Sequence, residues 1–230
     1  MTPIIPREVK SFVRRRRKLT VNQEKLFQTL WPSVGISPPT AMLDFDALFG
    51  RKSEKVCEIG FGHGDTISVM AKNNPDKDYV GIEVHEPGVA ELLQYIADHE
   101  LKNVRIISED AVRVFENFVP DNAFSRIHIY FPDPWHKKRH HKRRLVNTDF
   151  VSVLIQKLTP GGFIHCATDW QHYAEQMMAV LSEASALENV MGKQVYADNS
   201  ALHLRANTKF ERRGVNLGHG VWDLLFKKTS

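Results

Sequence analysis

The chain has 230 residues, 42% of them hydrophobic, which suits one domain with a sizeable core. No apolar run reaches the roughly 20 residues of a membrane-spanning helix, and the N-terminus lacks the apolar core of a signal peptide. These features argue against a membrane protein. They predict a cytoplasmic protein in which Cys57 and Cys166 are reduced core thiols.

The formal net charge is +4, but the basic residues are concentrated in two stretches. Residues 1–20 contain seven Lys or Arg and one acid, and residues 134–148 contain six and none. The rest of the chain holds 18 basic and 26 acidic residues. Two basic patches on an acidic body favour a polyanionic partner, because each neutralised phosphate releases condensed counterions. We expect residues 1–20 to be a flexible basic arm, with a solubilising tail or a basic run read by transport machinery as the alternatives. Residues 21–230 are expected to form a single domain.

From residue 55 onward, strand-like and helix-like patterns alternate. The predicted strands cover residues 55–59, 78–84, 103–110, 126–131, 163–168 and, in a less regular tail, 193–197 and 220–228. The predicted helices cover residues 67–74, 87–101, 111–118, 148–158 and 170–184. This alternation predicts an α/β fold with a mostly parallel, seven-stranded sheet and helices on both faces. Ligands of such sheets bind beyond the carboxyl ends of the strands.

The glycine-rich segment EIGFGHG, at residues 58–64, follows the first strand and predicts a small-molecule site. Its G-x-G-x-G spacing differs from the dinucleotide fingerprint G-x-G-x-x-G, and no G-x-x-x-x-G-K-[ST] motif is present. The acid Glu58 would repel a pyrophosphate and suits a cationic amino-acid cofactor. Glu83 lies where an acid accepts ribose hydroxyls, and Asp110 is placed to meet an adenine edge. Together these residues predict a pocket for S-adenosylmethionine, with a plain strand–helix turn as the alternative for the glycines alone.

The fourth predicted strand leads into PDPWHKKRHHKRR, at residues 132–144, which joins an acid, an indole and a cluster of cations. Asp133 is either a turn aspartate between two prolines or a functional acid beside the cofactor. Trp135 is either a core wedge or a base-stacking surface. Lys137 and residues 139–144 are predicted to contact phosphates. The histidines of this segment predict no metal site, because cations surround them and no acid or cysteine joins them.

Two later segments carry side chains that suit base recognition. Asp169 follows the fifth predicted strand and either caps the next helix or accepts hydrogen bonds from a base edge. The segment TKFE, at residues 208–211, combines a hydroxyl, a cation, an aromatic ring and an acid. No serine occupies a nucleophile elbow, which argues against a hydrolytic triad.

The segments EIGFGHG, GIEVH, SED, FPDPWHKKRHHKRR, ATDW and NTKFERRG together resemble the bacterial tRNA (guanine-N7)-methyltransferases, over about residues 55–227. The resemblance implies a Rossmann-like class I methyltransferase fold, S-adenosylmethionine as cofactor and tRNA as partner. The implied reaction is methyl transfer to N7 of guanine 46 in the variable loop. No metal or membrane is implied, and a monomer or homodimer is expected.

The resemblance also implies roles for individual residues. Asp133 is implied as the catalytic residue. The implied cofactor-binding residues are Glu58, Gly60, Gly62, Glu83, Asp110 and Asp133. The implied substrate-binding residues are Lys137, Asp169, Thr208, Lys209, Phe210 and Glu211. The implied RNA-interaction residues are Arg139, His140, His141, Lys142, Arg143 and Arg144.

The predicted chemistry is alignment more than proton transfer. Guanine N7 carries an in-plane lone pair and no proton, so its methylation needs no general base, and the sequence offers none that is obviously poised. Asp133 would favour the positive charge that develops on the guanine, while Asp169 or Glu211 would accept from its N1–H and N2 amino groups. Other possibilities are a methyltransferase of this fold acting on another nucleic acid or a small molecule, and a non-enzymatic RNA-binding module. A nicotinamide-dependent oxidoreductase is a more distant one.

Overall fold

The computed structural model describes residues 11–12, 19–199, 205 and 220–229. Its strands are β1 (Gly35–Ile36), β2 (Lys55–Ile59), β3 (Asp78–Ile82), β4 (Val104–Ile107), β5 (Phe124–Tyr130), β6 (Leu158–Thr168), β7 (Leu187–Asn189) and β8 (Trp222–Lys228). Its α-helices are α1 (Val21–Val34), α2 (Phe45–Phe49), α3 (Asp65–Asn73), α4 (Glu86–Asp98), α5 (Ala111–Asn117), α6 (Thr148–Lys157) and α7 (Gln171–Glu183). A 3₁₀ helix covers Lys138–Arg143.

The strands form one sheet in the order β1-β4-β3-β2-β5-β6-β8-β7. The six strands β1 to β6 pair in parallel, and β8 runs antiparallel to both β6 and β7. The predicted α/β class, with a mostly parallel sheet and helices on both faces, is therefore confirmed. The described residues contain eight strands, so the predicted count of seven is wrong by one.

Two details of the strand prediction need correction. The additional strand, β1, has two residues and pairs with β4, so it is too short to show a periodic pattern. The predicted strand at 193–197 is not present as a strand. That segment contains turns, has Gln194 in the left-handed region at φ 61°, and pairs only through a bridge between Ala197 and Asp223. The strand that pairs with β8 on the side away from β6 is instead β7, three residues at Leu187–Asn189.

The central strands are buried along their whole length, which explains why their sequences are nearly continuous apolar runs. One face of the sheet packs against α1, α3 and α4, with Ile67 and Leu92 among the fully buried residues. The other face packs against α2, α5, α6 and α7, with Phe115 and Tyr173 fully buried. Alternate residues of each strand serve these two cores, because successive side chains of a strand point to opposite faces.

Several helix starts are fixed by polar side chains that accept hydrogen bonds from free backbone N–H groups. Thr20 and Gln23 form a reciprocal capping box at α1. Asp44 caps α2, and Asn147 caps α6 by accepting from the N–H of Phe150. Each cap sets where its helix begins. No helix among the described residues is long and apolar enough to cross a membrane.

Candidate active site

A cavity of about 440 Å³ opens at the carboxyl ends of β2, β3 and β5. This is the edge where the sequence predicted a ligand site. The structure brings five of the predicted cofactor-binding residues to its walls: Glu58, Gly60, Gly62, Glu83 and Asp133. The volume lies within the range of pockets that enclose a small molecule of cofactor size.

The glycine segment turns sharply from β2 into α3. Gly62 has a φ of 57°, in the left-handed region that glycine adopts without a steric penalty. Gly88, in the first turn of α4, lies against this loop, and a Cβ there would stand 2.1 Å from the carbonyl oxygen of Gly62. Sequence analysis missed Gly88. The only local signal was its place directly after Pro87 at a helix start.

Glu58 lies at the floor of the cavity with 3% of its surface exposed. Among the described residues, its Oε2 has no hydrogen-bond partner. Burial raises the pKa of this carboxyl to about 8, with Asp65 and Glu83 adding to the rise and Arg205 opposing it. A buried acid of this kind is suited to a cationic ligand group, which would pair with it and restore its charged form.

Glu83 is held in place by backbone donors. Its Oε2 accepts from the N–H of Gly62 at 2.9 Å, and its Oε1 accepts from the N–H groups of Val84 and His85 at 2.7 and 2.9 Å. A carboxylate accepts about four hydrogen bonds, so three leave room for a further donor such as a ribose hydroxyl. Glu83 thus couples the glycine loop to the end of β3.

Asp110 is placed differently from the other predicted cofactor acids. Its side chain caps α5 by accepting from the N–H of Val112 at 3.0 Å. At this point the cavity wall is formed by its two neighbours, Glu109 and Ala111. A direct contact of Asp110 with an adenine edge therefore stays a prediction.

Asp133 projects from a tight turn between β5 and the 3₁₀ helix. The turn is bounded by two aromatic residues in the left-handed region, Phe131 at φ 50° and Trp135 at φ 49°. Bulky residues rarely adopt this conformation, and such strain is typically stored where a functional group must be presented. The Asp133 side chain is exposed at the mouth of the cavity, which fits an acid that meets a second substrate there.

Trp135 packs against neighbouring residues, and the choice between a core wedge and a base-stacking surface stays a prediction. The side chain is half-buried, with the Arg143 guanidinium 3.8 Å above the ring centre. Its indole N–H donates to the carbonyl oxygen of Ser11 at 3.0 Å. Ser11 and Phe12, which belong to the predicted N-terminal arm, also line the cavity. This part of the arm therefore lies against the site.

The basic run forms the 3₁₀ helix directly after the Asp133 turn. Exposed cations cover its outer surface, namely Lys137, Lys138, Arg139 and Lys142. His140, His141 and Arg143 are half-buried. Among the described residues, no group of three or more His, Cys, Asp or Glu is arranged to hold a metal ion.

Arg144 does not fit its predicted role in contacting RNA. Only 1% of the residue is exposed. Its Nε donates to the carbonyl oxygen of Pro134 at 2.9 Å, and its Nη1 bonds to His172 and Gln176 on α7. Arg144 therefore ties the Asp133 turn to α7 from inside the fold.

The remaining predicted substrate residues are only partly described. Asp169 does not cap α7, because the N-cap residue is Trp170 and the local hydrogen bond runs from the Trp170 N–H to the Thr168 hydroxyl. Asp169 is half-buried and lines a separate depression that it shares with Trp170 and Trp222. The segment 208–211, with Thr208, Lys209, Phe210 and Glu211, lies outside the described residues.

The residues of the main cavity fit S-adenosylmethionine. The unpartnered oxygen of Glu58 matches the ammonium group of its methionine part, and Glu83 has acceptor capacity left for its ribose. Fold and cavity together define a class I, S-adenosylmethionine-dependent methyltransferase.

Comparisons with known proteins narrow this class. A family model described as "Putative methyltransferase" matches residues 52–224. A relative from Alcanivorax borkumensis, named tRNA (guanine-N(7)-)-methyltransferase, is 48% identical over 98% of this chain and 94% of its own length. A relative of the same name from Aromatoleum aromaticum is 49% identical over 96% of this chain and 84% of its own length. The chain belongs to the tRNA (guanine-N7)-methyltransferase family.

Solved structures support the fold independently. The 16S rRNA methyltransferase KamB superposes with a TM-score of 0.62 at 15% identity, covering 83% of this chain and 96% of its own. An antibiotic-related methyltransferase superposes with a TM-score of 0.54 at 21% identity, covering 82% of this chain and 95% of its own. At these identities the likeness concerns the fold alone.

Glu58 should make the stability of the cofactor-free protein depend on pH. The folded pKa of about 8 exceeds the ordinary value of 4.5, so within this window the folded state holds a proton that the unfolded chain has released. The free energy of unfolding should therefore fall as pH rises through the window, by roughly 1–4 kcal/mol. In Glu58→Gln this part of the slope should vanish, and cofactor affinity should drop. Urea denaturation across the pH range measures the slope, and calorimetry measures the affinity.

The matched control is Glu116→Gln, which removes an exposed carboxyl from α5. It should keep the pH slope of the wild-type protein. An unchanged slope in Glu58→Gln would contradict the assignment of the buried proton to Glu58.

Proposed function

We propose that this protein transfers the methyl group of S-adenosylmethionine to N7 of guanine 46 in the variable loop of tRNA. Relatives of this name match nearly the whole chain. The observation that carries the proposal is the continuity of the site: Asp133 lines the cavity, and the turn that carries it leads directly into the cationic 3₁₀ helix. A monomer or homodimer acting in the cytoplasm remains the expectation from sequence.

The residues of the cavity would hold and orient the cofactor. When bound, the cofactor supplies an electrophilic methyl group on a sulfonium. Glu58, in its ionised form, would pair with the ammonium group, and Glu83 would accept from the ribose. Because guanine N7 attacks with a lone pair that carries no proton, the chain has to align the reactants and need not remove a proton. In this proposal the described acids of the site bind and orient the reactants and do not act as general bases.

Asp133 has the role closest to the reaction. Positive charge moves onto the guanine ring during the transfer, and a carboxylate at the mouth of the cavity would stabilise that charge. The strained turn would keep the carboxylate at the boundary between cofactor and base, which supports this role.

Recognition of the base and of the tRNA would fall to other residues. Asp169 and Glu211 are the proposed acceptors for the guanine N1–H and the N2 amino group. Adenine has no proton on N1 and no amino group on C2, so these acceptors would select guanine. Lys137, Thr208, Lys209 and Phe210 complete the proposed substrate set. The exposed cations of the 3₁₀ helix would contact phosphates and fix the register of the tRNA.

The direct test is to incubate the protein with unmodified tRNA and labelled S-adenosylmethionine and to identify the product by nucleoside mass spectrometry. We expect 7-methylguanosine at the variable loop. Parallel reactions with ribosomal RNA, DNA and small metabolites test other substrates. Methylation of another atom, or transfer only to one of the other substrates, would refute the proposal.

Replacing the acid at the mouth of the cavity should slow the chemical step. For Asp133→Ala we expect single-turnover methylation to fall about 100-fold or more, because a preorganised charge next to the developing positive charge is lost. The affinity for tRNA should change by less than about threefold, because many phosphate contacts remain. Normal turnover with intact cofactor binding would show that Asp133 is not the catalytic residue.

The exposed cations should determine the salt dependence of tRNA binding. For Lys142→Gln we expect weaker binding and a slope of log K against log salt that is smaller by about 0.7–0.9, the value of one lost phosphate contact. Filter binding at several salt concentrations measures the slope. Lys72→Gln, at the exposed end of α3 remote from the cavity, is the matched control and should leave it unchanged. A slope in Lys142→Gln that equals the slopes of Lys72→Gln and of the wild-type protein would mean that the tRNA binds on another surface.

A further inference from the structure

A connected set of buried polar side chains crosses one face of the sheet beside the cavity. It includes Tyr130 on β5, His165 on β6 and Asp223 on β8. The Tyr130 hydroxyl lies 2.9 Å from His165 Nδ1, and His165 Nε2 lies 2.7 Å from Asp223 Oδ1. Asp223 is only 2% exposed. Burying three polar groups costs stability unless each is paired, and here each has a partner.

The protons of this set have one consistent arrangement. Burial raises the pKa of Tyr130 well above its ordinary value, so its hydroxyl keeps its proton and donates. Burial lowers the pKa of His165, although Asp223 opposes the shift, so the ring is neutral. Its Nε2–H then donates to the Asp223 carboxylate, and its Nδ1 accepts from Tyr130. The chain of bonds ends on a single negative charge at Asp223.

Arg205 neutralises that charge through two hydrogen bonds. Its Nε donates to Oδ1 of Asp223 at 2.8 Å and its Nη2 donates to Oδ2 at 3.0 Å. The residue is 6% exposed, and its backbone N–H donates to the Asn199 side chain at 3.0 Å. Two parallel bonds to one carboxylate fix the plane of the guanidinium as well as its position.

The Arg205 guanidinium, held in this way, packs against the start of the Asp133 turn. Its central carbon lies 5.5 Å from the ring centre of Tyr130 and 5.1 Å from that of Phe131. Phe131 is the first of the two left-handed aromatic residues, and Asp133 follows two residues later. A strained turn keeps its conformation only when its surroundings hold it. Arg205 is one of the groups that hold Phe131.

We propose that the Asp223–Arg205 ion pair is a positioning device for Asp133: it holds Tyr130 and Phe131 and thereby the turn that presents the carboxylate to the base. The inference rests on the proposed function, in which Asp133 is the catalytic residue. Asp223 and Arg205 touch neither cofactor nor substrate in this role.

The test uses Asp223→Asn, which keeps the shape of the side chain and removes its charge. We expect kcat for tRNA methylation to fall at least about tenfold, because a shift of about 1 Å at a reacting group can cost that much or more. In an Asp133→Ala background, Asp223→Asn should lower kcat by less than about twofold, because the group being positioned is already gone. Equal reductions in both backgrounds would overturn the proposal.

Asp78→Asn is the matched control for lost stability. Asp78 is also fully buried and also paired with an arginine, since Arg51 donates to its Oδ1 from Nε at 2.9 Å and from Nη2 at 2.6 Å. It lies at the amino end of β3, on the edge of the sheet opposite the cavity. We expect a similar fall in melting temperature and an unchanged kcat. A loss of kcat equal to that of Asp223→Asn would mean that both variants act only through stability.

A readout independent of activity separates this inference from the proposed function. Hydrogen–deuterium exchange of the peptide that contains residues 131–135 should speed up in Asp223→Asn and stay unchanged in Asp78→Asn. If Asp223→Asn does not fold, Arg205→Gln replaces it in every measurement, with the same expectations. Unchanged exchange in the turn overturns the positioning role. A wild-type protein that does not methylate guanine N7 overturns the proposed function instead.

Discussion

Glu58 imposes the constraint on which the rest of the site depends. It is a carboxyl at the end of a fully buried central strand, and its Oε2 has no partner among the described residues. Leaving such a group unpaired costs stability, and burial raises its pKa to about 8, so a cationic ligand that paired with it would favour its charged form. In the proposed function, this carboxyl is the partner of the ammonium group of the cofactor. A hydrogen bond from the Gly62 N–H to Glu83 holds the glycine loop against the end of β3, and both form part of the cavity wall.

The same face of the sheet continues from this acid into the polar set of Tyr130, His165 and Asp223. Most core positions of the strands are apolar, so a row of paired polar groups next to the cavity needs a reason beyond folding. Apolar residues of similar size would fill the space without the cost of burying a charge. Holding a strained turn in one conformation supplies that reason, because hydrogen bonds and ion pairs fix orientation more strictly than apolar contacts do.

The sequence was sufficient for features that depend on neighbours along the chain. One local pattern joins the strand at 55–59, the acid near its end and the glycines after it. The parallel sheet follows from the alternation of strand-like and helix-like segments along the chain. It was insufficient where distant segments meet. The burial of Arg144 depends on α7, and the pairing of Asp223 with Arg205 depends on a contact that no local pattern indicates. The strand predicted at 193–197 looked extended by composition, but the turn conformation of Gln194 prevents it.

These long-range contacts explain how one loop can serve two very different partners. In the proposed function, Asp133 would stay fixed relative to a small cofactor, while Lys137 and Lys142 would meet a flexible, highly charged tRNA. Arg144 contacts this turn at Pro134 and Arg205 contacts it at Phe131, so two buried arginines support the turn that carries the carboxylate. A cation near the turn thus has one of two functions, depending on its burial. Paired inside the fold it stabilises the geometry, and exposed on the 3₁₀ helix it is available for phosphates.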